Sequence, residues 1–328
     1  MSTHSVVIVP PLMHPEGPHT VLLRAAGFEI RRPTADVTRP GQLAAIIGDA
    51  EAAMVGTEPY TREVILGAPR LRAIVRCGVG YDAIDLRTAD ERGIAVAITP
   101  GTNHEAAAEH ALAMMLALAR GFPGRDLMVR RGEPWKKVPM PRIAGRTLGL
   151  LGLGRIAKAL VARLGGLQLR VLAYAPRPDR MFAADHGVEL ATFEDVLRQS
   201  DFLSLHLPLT PETRGLMNKA TLALMKPGAI LVNTSRGGLV DERALYAALV
   251  DGRLAGAGLD VFAQEPAGPD NPLLQLDNVL LSPHISGLDN ESYGDLRVMA
   301  ARILIDLVEG RWPGDCVVNL RGVNGWRW

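Results

Sequence analysis

The chain is poor in cysteine and has almost no net charge, and each absence argues against a class of protein. Its 328 residues include only two cysteines, Cys77 and Cys316, which argues against a disulfide framework and fits a reducing cytosol. Neither lies in a C-x-x-C pair or a cysteine–histidine cluster, so we predict no metal site. The net charge of +1 gives no general attraction to nucleic acid or to an anionic membrane.

Long apolar runs are missing too. The longest one, residues 111–119, is far too short to span a bilayer. No basic segment precedes the short apolar run near the N-terminus, so we expect no signal peptide and predict a cytoplasmic protein. A zinc-protease motif also fails, because Ala108 stands where the H-E-x-x-H pattern beginning at His104 needs its second histidine.

Short β-branched runs alternate with helix-like segments along most of the chain, which predicts parallel sheets covered by helices. In a first series the strand candidates are residues 6–9, 28–30, 53–55, 71–75 and 94–98. A second series has candidates at residues 147–151, 170–173, 202–207, 229–232, 258–261 and 279–281. Long helices are predicted at 105–119 and 291–309, and a loop rich in glycine, proline and arginine at 121–145. The length and the two series indicate two domains.

The second series opens on a glycine-rich turn between a strand-like run and a helix-like run. Residues 152–157 read G-x-G-x-x-A, in which Gly152 permits a tight turn and Gly154 lets the backbone approach a pyrophosphate. The small Ala157 allows the helix and the strand to pack closely, and the N–H groups at the helix start can face phosphates. This pattern predicts a dinucleotide-binding site in the middle of the chain.

Three later strand candidates are each followed by polar residues. Arg236 follows the candidate at 229–232, Glu265 follows the one at 258–261, and His284 follows the one at 279–281. Ligands of doubly wound sheets bind beyond the carboxyl ends of the strands. We therefore expect these three side chains to converge at one edge of the second sheet.

Several sequence blocks, in order, resemble those of a known enzyme family. They are residues 76–82, 109–112, 149–157, 206–211, 233–242, 260–266 and 283–284. On these blocks the chain resembles the D-isomer-specific 2-hydroxyacid dehydrogenase family over nearly its whole length, and most closely the phosphoglycerate-dehydrogenase-like branch. The resemblance implies an α/β fold of two doubly wound parallel-sheet domains, a Rossmann cofactor domain inserted into a discontinuous flavodoxin-like substrate domain. The implied bounds are residues 1–100 and 288–328 for the substrate domain and 101–287 for the cofactor domain, with the active site in the cleft.

The resemblance also implies catalytic roles. Arg236 would grip the substrate carboxylate and 2-oxo oxygen, a task that suits a planar and permanently charged guanidinium. His284 would be the general acid/base, because imidazole exchanges protons near neutral pH. Glu265 would hold the imidazole and favour its charged form. The backbone at Val79 and Gly80 resembles the family's carboxylate-binding loop in the first domain.

The cofactor contacts implied by the resemblance are spread over several strand ends. They lie at Gly152, Gly154, Arg155, Ile156, Ala175, Arg177, His206, Pro208, Thr213, Thr234 and Asp260. Asp260 resembles the residue that hydrogen-bonds the nicotinamide carboxamide, and His206 is expected to be structural rather than catalytic. Enzymes that select NAD usually place Asp or Glu at the end of the second strand of this domain. Here Ala175 and Arg177 stand in that region, and Arg177 could pair with a 2′-phosphate, so NADP is favoured over NAD.

The predicted activity is that of an NAD(P)-dependent D-2-hydroxyacid dehydrogenase or 2-oxoacid reductase. The substrate candidates are 3-phosphoglycerate, hydroxypyruvate and glyoxylate. A contrasting hypothesis is a nicotinamide-sensing corepressor on the same scaffold, because fold alone does not decide function. The resemblance further implies a homodimer formed through the cofactor domains, and we expect no metal, nucleic-acid or membrane partner.

Overall fold

The computed structural model describes residues 4–9, 16–33, 40–135, 137–321 and 325–328. The chain divides into two compact units. Unit 1 comprises residues 1–103 and 289–328, and unit 2 comprises residues 104–288. The domain bounds implied by the resemblance, at 100/101 and 287/288, stay a prediction.

Both units are built from short parallel strands and helices. The strands are β1 (His4–Ile8), β2 (Phe28–Arg31), β3 (Ala52–Val55), β4 (Ala73–Arg76), β5 (Ala95–Ile98), β6 (Thr147–Leu151), β7 (Arg170–Tyr174), β8 (Val188–Leu190), β9 (Phe202–Leu205), β10 (Ala229–Asn233), β11 (Leu254–Leu259) and β12 (Val279–Leu281). The helices are α1 (Pro18–Ala25), α2 (Pro40–Ile47), α3 (Arg62–Leu66), α4 (Leu86–Glu91), α5 (His104–Ala119), α6 (Phe122–Arg130), α7 (Arg155–Arg163), α8 (Arg180–Asp185), α9 (Phe193–Gln199), α10 (Lys219–Leu224), α11 (Glu242–Val250) and α12 (Asn290–Val308). Short 3-10 helices cover Gly237–Leu239 and Pro272–Gln275.

Unit 1 contains a five-stranded parallel sheet in the order β2-β1-β3-β4-β5. Successive side chains of a strand point to opposite faces, so each strand contributes to two cores. One core packs against α1 and α12, and the other packs against α2 and α3. This strand order is that of a flavodoxin-like doubly wound fold.

Unit 2 contains a seven-stranded parallel sheet in the order β12-β11-β10-β9-β6-β7-β8. Helices α5, α7 and α8 cover one face, and α9, α10 and α11 cover the other. The strand order reverses at β6, which pairs with β7 on one side and β9 on the other. Such a switch point opens a crevice beyond the carboxyl ends of the strands, where doubly wound folds bind ligands. The predicted fold class is therefore confirmed.

The structure differs from the sequence prediction in a few elements. The segment 121–145 was predicted to be a loop, but it contains α6, which begins after Gly121 in the left-handed region at φ 64° and carries Pro123 in its first turn. The strand predicted at 258–261 is instead β11, at Leu254–Leu259. Its sequence LAGAGL lacks β-branched residues, which removed the usual strand signal. Among the helices described, none combines the length and apolar character that crossing a membrane requires.

Candidate active site

A histidine and a glutamate meet beyond the carboxyl ends of β11 and β12. Nδ1 of His284 lies 2.6 Å from Oε2 of Glu265. The other carboxylate oxygen, Oε1, accepts a hydrogen bond of 3.0 Å from the backbone N–H of Phe262, so the carboxylate is held by its own loop. The His284 side chain is 25% exposed. With Nδ1 committed to Glu265, Nε2 is the nitrogen that this arrangement leaves for proton exchange with a ligand.

The loop that carries His284 is tied to Asp260. The backbone N–H of His284 donates to the carbonyl oxygen of Asp260 over 2.7 Å. The Asp260 carboxylate accepts from the Ser282 hydroxyl at 2.6 Å and from the N–H groups of Ile285 and Ser286 at 2.9 Å each. Burial alone would raise the pKa of Asp260, but these hydrogen bonds outweigh it and hold the pKa below its usual value. Asp260 is fully buried, and both of its carboxylate oxygens accept hydrogen bonds from this loop.

Arg236 lies in a loop that follows β10 and is fixed by a buried asparagine. The Asn233 side chain donates to the Arg236 carbonyl oxygen over 2.9 Å and accepts from the N–H of Ser235 over 3.1 Å. Gly237 comes next, and a Cβ there would lie 1.9 Å from the carbonyl carbon of Phe262. Glycine therefore lets the Arg236 loop contact the segment that leads to Glu265.

The glycine-rich turn joins β6 to α7 as its pattern predicts. Gly152 has φ 102°, and a Cβ there would lie 2.5 Å from the His206 carbonyl oxygen, so only glycine fits. A Cβ on Gly154 would meet nothing within 4 Å, so that position opens onto free space. No side chain caps α7, which begins at Arg155, so its first N–H groups are available to an anion.

Two buried polar atoms at this edge have no partner among the described residues. They are Nδ1 of His206, just beyond β9, and Oγ1 of Thr234, just beyond β10. The other His206 nitrogen, Nε2, lies 2.9 Å from the Ser204 hydroxyl. Buried polar atoms are nearly always hydrogen-bonded, so this pair fits a site whose ligand or bound water completes the bonding. Together with the open Gly154 turn, the residues present fit a dinucleotide.

The remaining predicted cofactor contacts lie after β9, along and just beyond β7, and in the first turn of α7. Thr213 donates from Oγ1 to the Pro208 carbonyl oxygen over 2.7 Å, which closes the turn after β9. Ala175 lines a groove of about 580 Å³ along β7, and Arg177 is exposed two residues later. Ile156 is half-buried in the first turn of α7.

Unit 1 carries the other predicted substrate residues, Val79 and Gly80, in the loop after β4. Val79 is exposed, and the Gly80 carbonyl oxygen accepts from Nε of Arg76 over 3.1 Å. Gly78 precedes them with φ 141°, in the region that favours glycine. The side chain of Arg76, the last residue of β4, thus holds this loop through its hydrogen bond to Gly80.

Sequence reasoning missed the residues that fix these loops. Asn233 and Gly237 stood inside a block that carried the resemblance, and Ser282 came just before another, but no role was assigned to them. His110 stood inside the block 109–112, also without an assigned role, yet its Nε2 lies 2.9 Å from the Ser282 hydroxyl. A buried polar residue at the end of a parallel strand is the signal that could have identified Asn233.

Comparisons with known proteins agree on one family. The family model for the D-isomer specific 2-hydroxyacid dehydrogenase NAD binding domain matches residues 112–286. A glyoxylate reductase of Korarchaeum cryptofilum is 44% identical over 267 residues, which cover 80% of this chain and 80% of that protein. A D-3-phosphoglycerate dehydrogenase of Archaeoglobus fulgidus is 43% identical over 263 residues, which cover 80% of this chain but 50% of that longer protein.

Solved structures extend the likeness to almost the whole chain. D-lactate dehydrogenase from Aquifex aeolicus, complexed with NAD and lactic acid, gives a TM-score of 0.84 at 28% identity and covers 96% of this chain and 99% of that one. An acyclic imino acid reductase in complex with NADPH and D-Arg gives 0.83 at 25% identity, with the same coverage of 96% and 99%.

Proposed function

Because this chain belongs to the D-isomer-specific 2-hydroxyacid dehydrogenase family of NAD-dependent oxidoreductases, we propose that it interconverts a small 2-oxoacid and the D-2-hydroxyacid, with His284 as general acid/base. The observation that carries the proposal is the 2.6 Å contact between Nδ1 of His284 and Oε2 of Glu265. An imidazole oriented by a carboxylate is the arrangement that holds one tautomer and stabilises the imidazolium.

The proton moves at Nε2 of His284. When bound, the nicotinamide cofactor supplies the hydride that reaches C2 of the 2-oxoacid. His284 donates its Nε2 proton to the carbonyl oxygen during reduction and takes the hydroxyl proton in the reverse direction. Glu265 keeps the ring oriented through its contact with Nδ1. Positioned acid/base catalysis of this kind contributes roughly 10²–10⁴ in rate.

Arg236 binds the substrate carboxylate in this proposal. A guanidinium presents its N–H donors in a rigid fork that matches a carboxylate, and its charge persists at every working pH. Asn233 holds the Arg236 backbone through a hydrogen bond of 2.9 Å, which fixes the origin of that fork. The backbone N–H groups at Val79 and Gly80 in unit 1 are proposed as additional donors to the substrate.

We propose that the cofactor is held at the turn between β6 and α7, and that NADP is preferred over NAD. The pyrophosphate would accept from the uncapped N–H groups of α7 beside Gly154. No carboxylate occupies residues 175–177 to repel a 2′-phosphate, and the exposed Arg177 can pair with one. Related structures carry either NAD or NADPH in their complexes, so the fold accommodates both cofactors.

Glyoxylate and hydroxypyruvate are the first substrates we propose, with 3-phosphoglycerate third. The glyoxylate reductase relative matches over 80% of its own length, whereas the phosphoglycerate dehydrogenase relative matches over 50%. All three compounds share the 2-oxo or 2-hydroxy acid group that Arg236 and His284 would recognise. The alternative, a nicotinamide-sensing corepressor, gains no support from these relatives.

The test is turnover of a panel of 2-oxoacids, with and without a phosphate group, followed as NADPH and NADH oxidation. Wild type should reduce at least one compound, and His284→Ala should lower kcat by roughly 10²–10⁴. His186→Ala is the matched control, because His186 is an exposed histidine of unit 2 outside the site. A wild type without turnover, or a His284→Ala variant with normal kcat, would refute the proposal.

Cofactor preference is tested separately with Arg177→Glu. Replacing a cation beside a 2′-phosphate by an anion should lower kcat/KM with NADPH by about tenfold or more and spare NADH. Arg198→Glu is the control, since it makes the same charge change at another exposed position. Equal kcat/KM for the two cofactors in wild type, unchanged in Arg177→Glu, would contradict the preference while leaving the reaction itself intact.

A further inference from the structure

Helix α5 contacts the loop of His284 through His110, whose Nε2 also lies 3.8 Å from Oδ1 of Asp260. Nε2 of His110, on α5, lies 2.9 Å from the hydroxyl oxygen of Ser282. That hydroxyl donates its only proton to Oδ1 of Asp260 over 2.6 Å. The hydroxyl oxygen must then be the acceptor toward His110, so His110 carries its proton on Nε2. The direction of both hydrogen bonds follows from this count of donors.

Asp260 also accepts hydrogen bonds from the backbone of residues 284–286. Its carbonyl oxygen accepts from the N–H of His284, and its carboxylate accepts from the N–H groups of Ile285 and Ser286. His284 has φ 54°, in a region that side-chain-bearing residues rarely adopt. A backbone in that region persists only where surrounding contacts hold it. The hydrogen bonds to Asp260 are such contacts, and Ser282 is one of two serine side chains that hydrogen-bond the carboxylate.

We propose that His110 and Ser282 are positioning residues for His284. Ser282 sets the orientation of the Asp260 carboxylate, and His110 keeps the Ser282 hydroxyl pointed at that carboxylate rather than elsewhere. The two residues thereby hold the 284–286 backbone, and with it the imidazole, in the geometry that the reaction uses. This inference rests on the proposed function of His284, but its structural part does not depend on turnover.

Isosteric pairs separate hydrogen bonding from packing. Ser282→Thr keeps the hydroxyl. Ser282→Val has the shape of that threonine but lacks the hydroxyl. His110→Gln keeps an N–H donor at a position close to that of Nε2, whereas His110→Leu has none. We expect Ser282→Val to lower kcat about tenfold and His110→Leu about fivefold, each in the range of a lost hydrogen bond. Ser282→Thr and His110→Gln should stay within about threefold of wild type.

Hydrogen exchange supplies a measurement that needs no turnover. The amides of His284, Ile285 and Ser286 all donate to Asp260, so in Ser282→Val their exchange should accelerate about tenfold relative to wild type. Ser282→Thr should restore their protection. Amides of β6, far along the sheet from this loop, serve as the internal reference for global stability.

The outcomes distinguish this inference from the proposed function. Faster exchange in Ser282→Val, with rescue in Ser282→Thr, supports the inference even if the wild type reduces none of the tested 2-oxoacids. Unchanged exchange and unchanged kcat in Ser282→Val overturn it even if the wild type is fully active. Equal losses in Ser282→Thr and Ser282→Val would also overturn it, because packing rather than the hydroxyl would then be responsible.

Discussion

His206 and His284 are two imidazoles at the carboxyl edge of the same sheet, yet their surroundings give them different chemistry. His206 has a buried Nδ1 and a hydroxyl partner for Nε2, and burial lowers its pKa to about 4. His284 has a carboxylate partner and a side chain that is partly exposed. His206 is therefore neutral at physiological pH, whereas the His284 ring is oriented by Glu265 through Nδ1, which leaves Nε2 for a ligand.

The lowered pKa of His206 predicts a loss of stability in acid. Its folded-state pKa lies below the unfolded value of about 6.5, so the unfolded chain takes up the proton first as pH falls. The contribution is fully present above pH 6.5 and is lost progressively as the pH falls toward 4; the loss at pH 5 amounts to about 2 kcal/mol. His206→Gln keeps a polar group beside Ser204 but cannot titrate. We expect its free energy of unfolding to fall by about 2 kcal/mol less than that of wild type between pH 7.5 and pH 5.

Urea denaturation at the two pH values measures this difference. His186→Gln is the control, because it removes an exposed histidine of the same unit and should keep the wild-type pH dependence. If His206→Gln lost as much stability in acid as wild type, a buried neutral His206 would not be the source of the effect.

At the scale of elements, the loop after β10 packs closely against the loop after β11. Gly237, behind Arg236, lies against the backbone of Phe262, which itself donates to Glu265. From the start of α11, the Glu242 carboxylate accepts from the N–H of Ala263 over 2.6 Å. The segments that carry Arg236 and Glu265 are thus fixed by a close backbone approach at Gly237 and by two carboxylates that accept backbone N–H groups.

Gly237→Ala should therefore disrupt both loops. The added Cβ would lie 1.9 Å from a backbone carbon, which cannot move without shifting the segment that holds Glu265. We expect a loss of stability of about 2–3 kcal/mol or more and a large drop in kcat. Gly238→Ala is the matched control, because its Cβ would meet the flexible end of Leu209 at 3.0 Å. Thermal unfolding and kcat of both variants measure the effect, and equal behaviour would show that the Gly237 contact is unimportant.

The elements also show what the sequence could predict. Alternating buried strands and helices predicted the doubly wound fold, and the family was identified from blocks such as 149–157 and 233–242; both predictions are confirmed. The short α1, α6 and β8 were missed, because proline, glycine or brief length weakens a periodic pattern. The contact of His110 with Ser282 joins residues 172 positions apart, and no local pattern encodes such a contact. The roles of the site residues and the NADP preference stay predictions.

At the scale of the whole molecule, exposed apolar side chains are concentrated in one stretch of unit 2. Phe122, Val129, Trp135 and Val138 are each between 58% and 74% exposed. They make up four of the thirteen large hydrophobic side chains that are exposed among the described residues. Exposed apolar groups are typical of surfaces that bind another protein when they form a contiguous patch. The family resemblance predicts a homodimer through the cofactor domain, and this stretch lies in that part of the chain.

A double substitution in this stretch tests the predicted homodimer. If Phe122 and Trp135 are buried between two copies of the chain, Phe122→Ser with Trp135→Ser should shift a dimer toward monomer, because serine removes the apolar area that association would bury. Sedimentation velocity over a hundredfold range of protein concentration measures the change. Met181→Ser is the matched control, since Met181 is 75% exposed on α8, outside this stretch, and its loss should leave the assembly unaltered. A wild type that sediments as a monomer would refute the homodimer, and a double variant that remains dimeric would place the interface elsewhere.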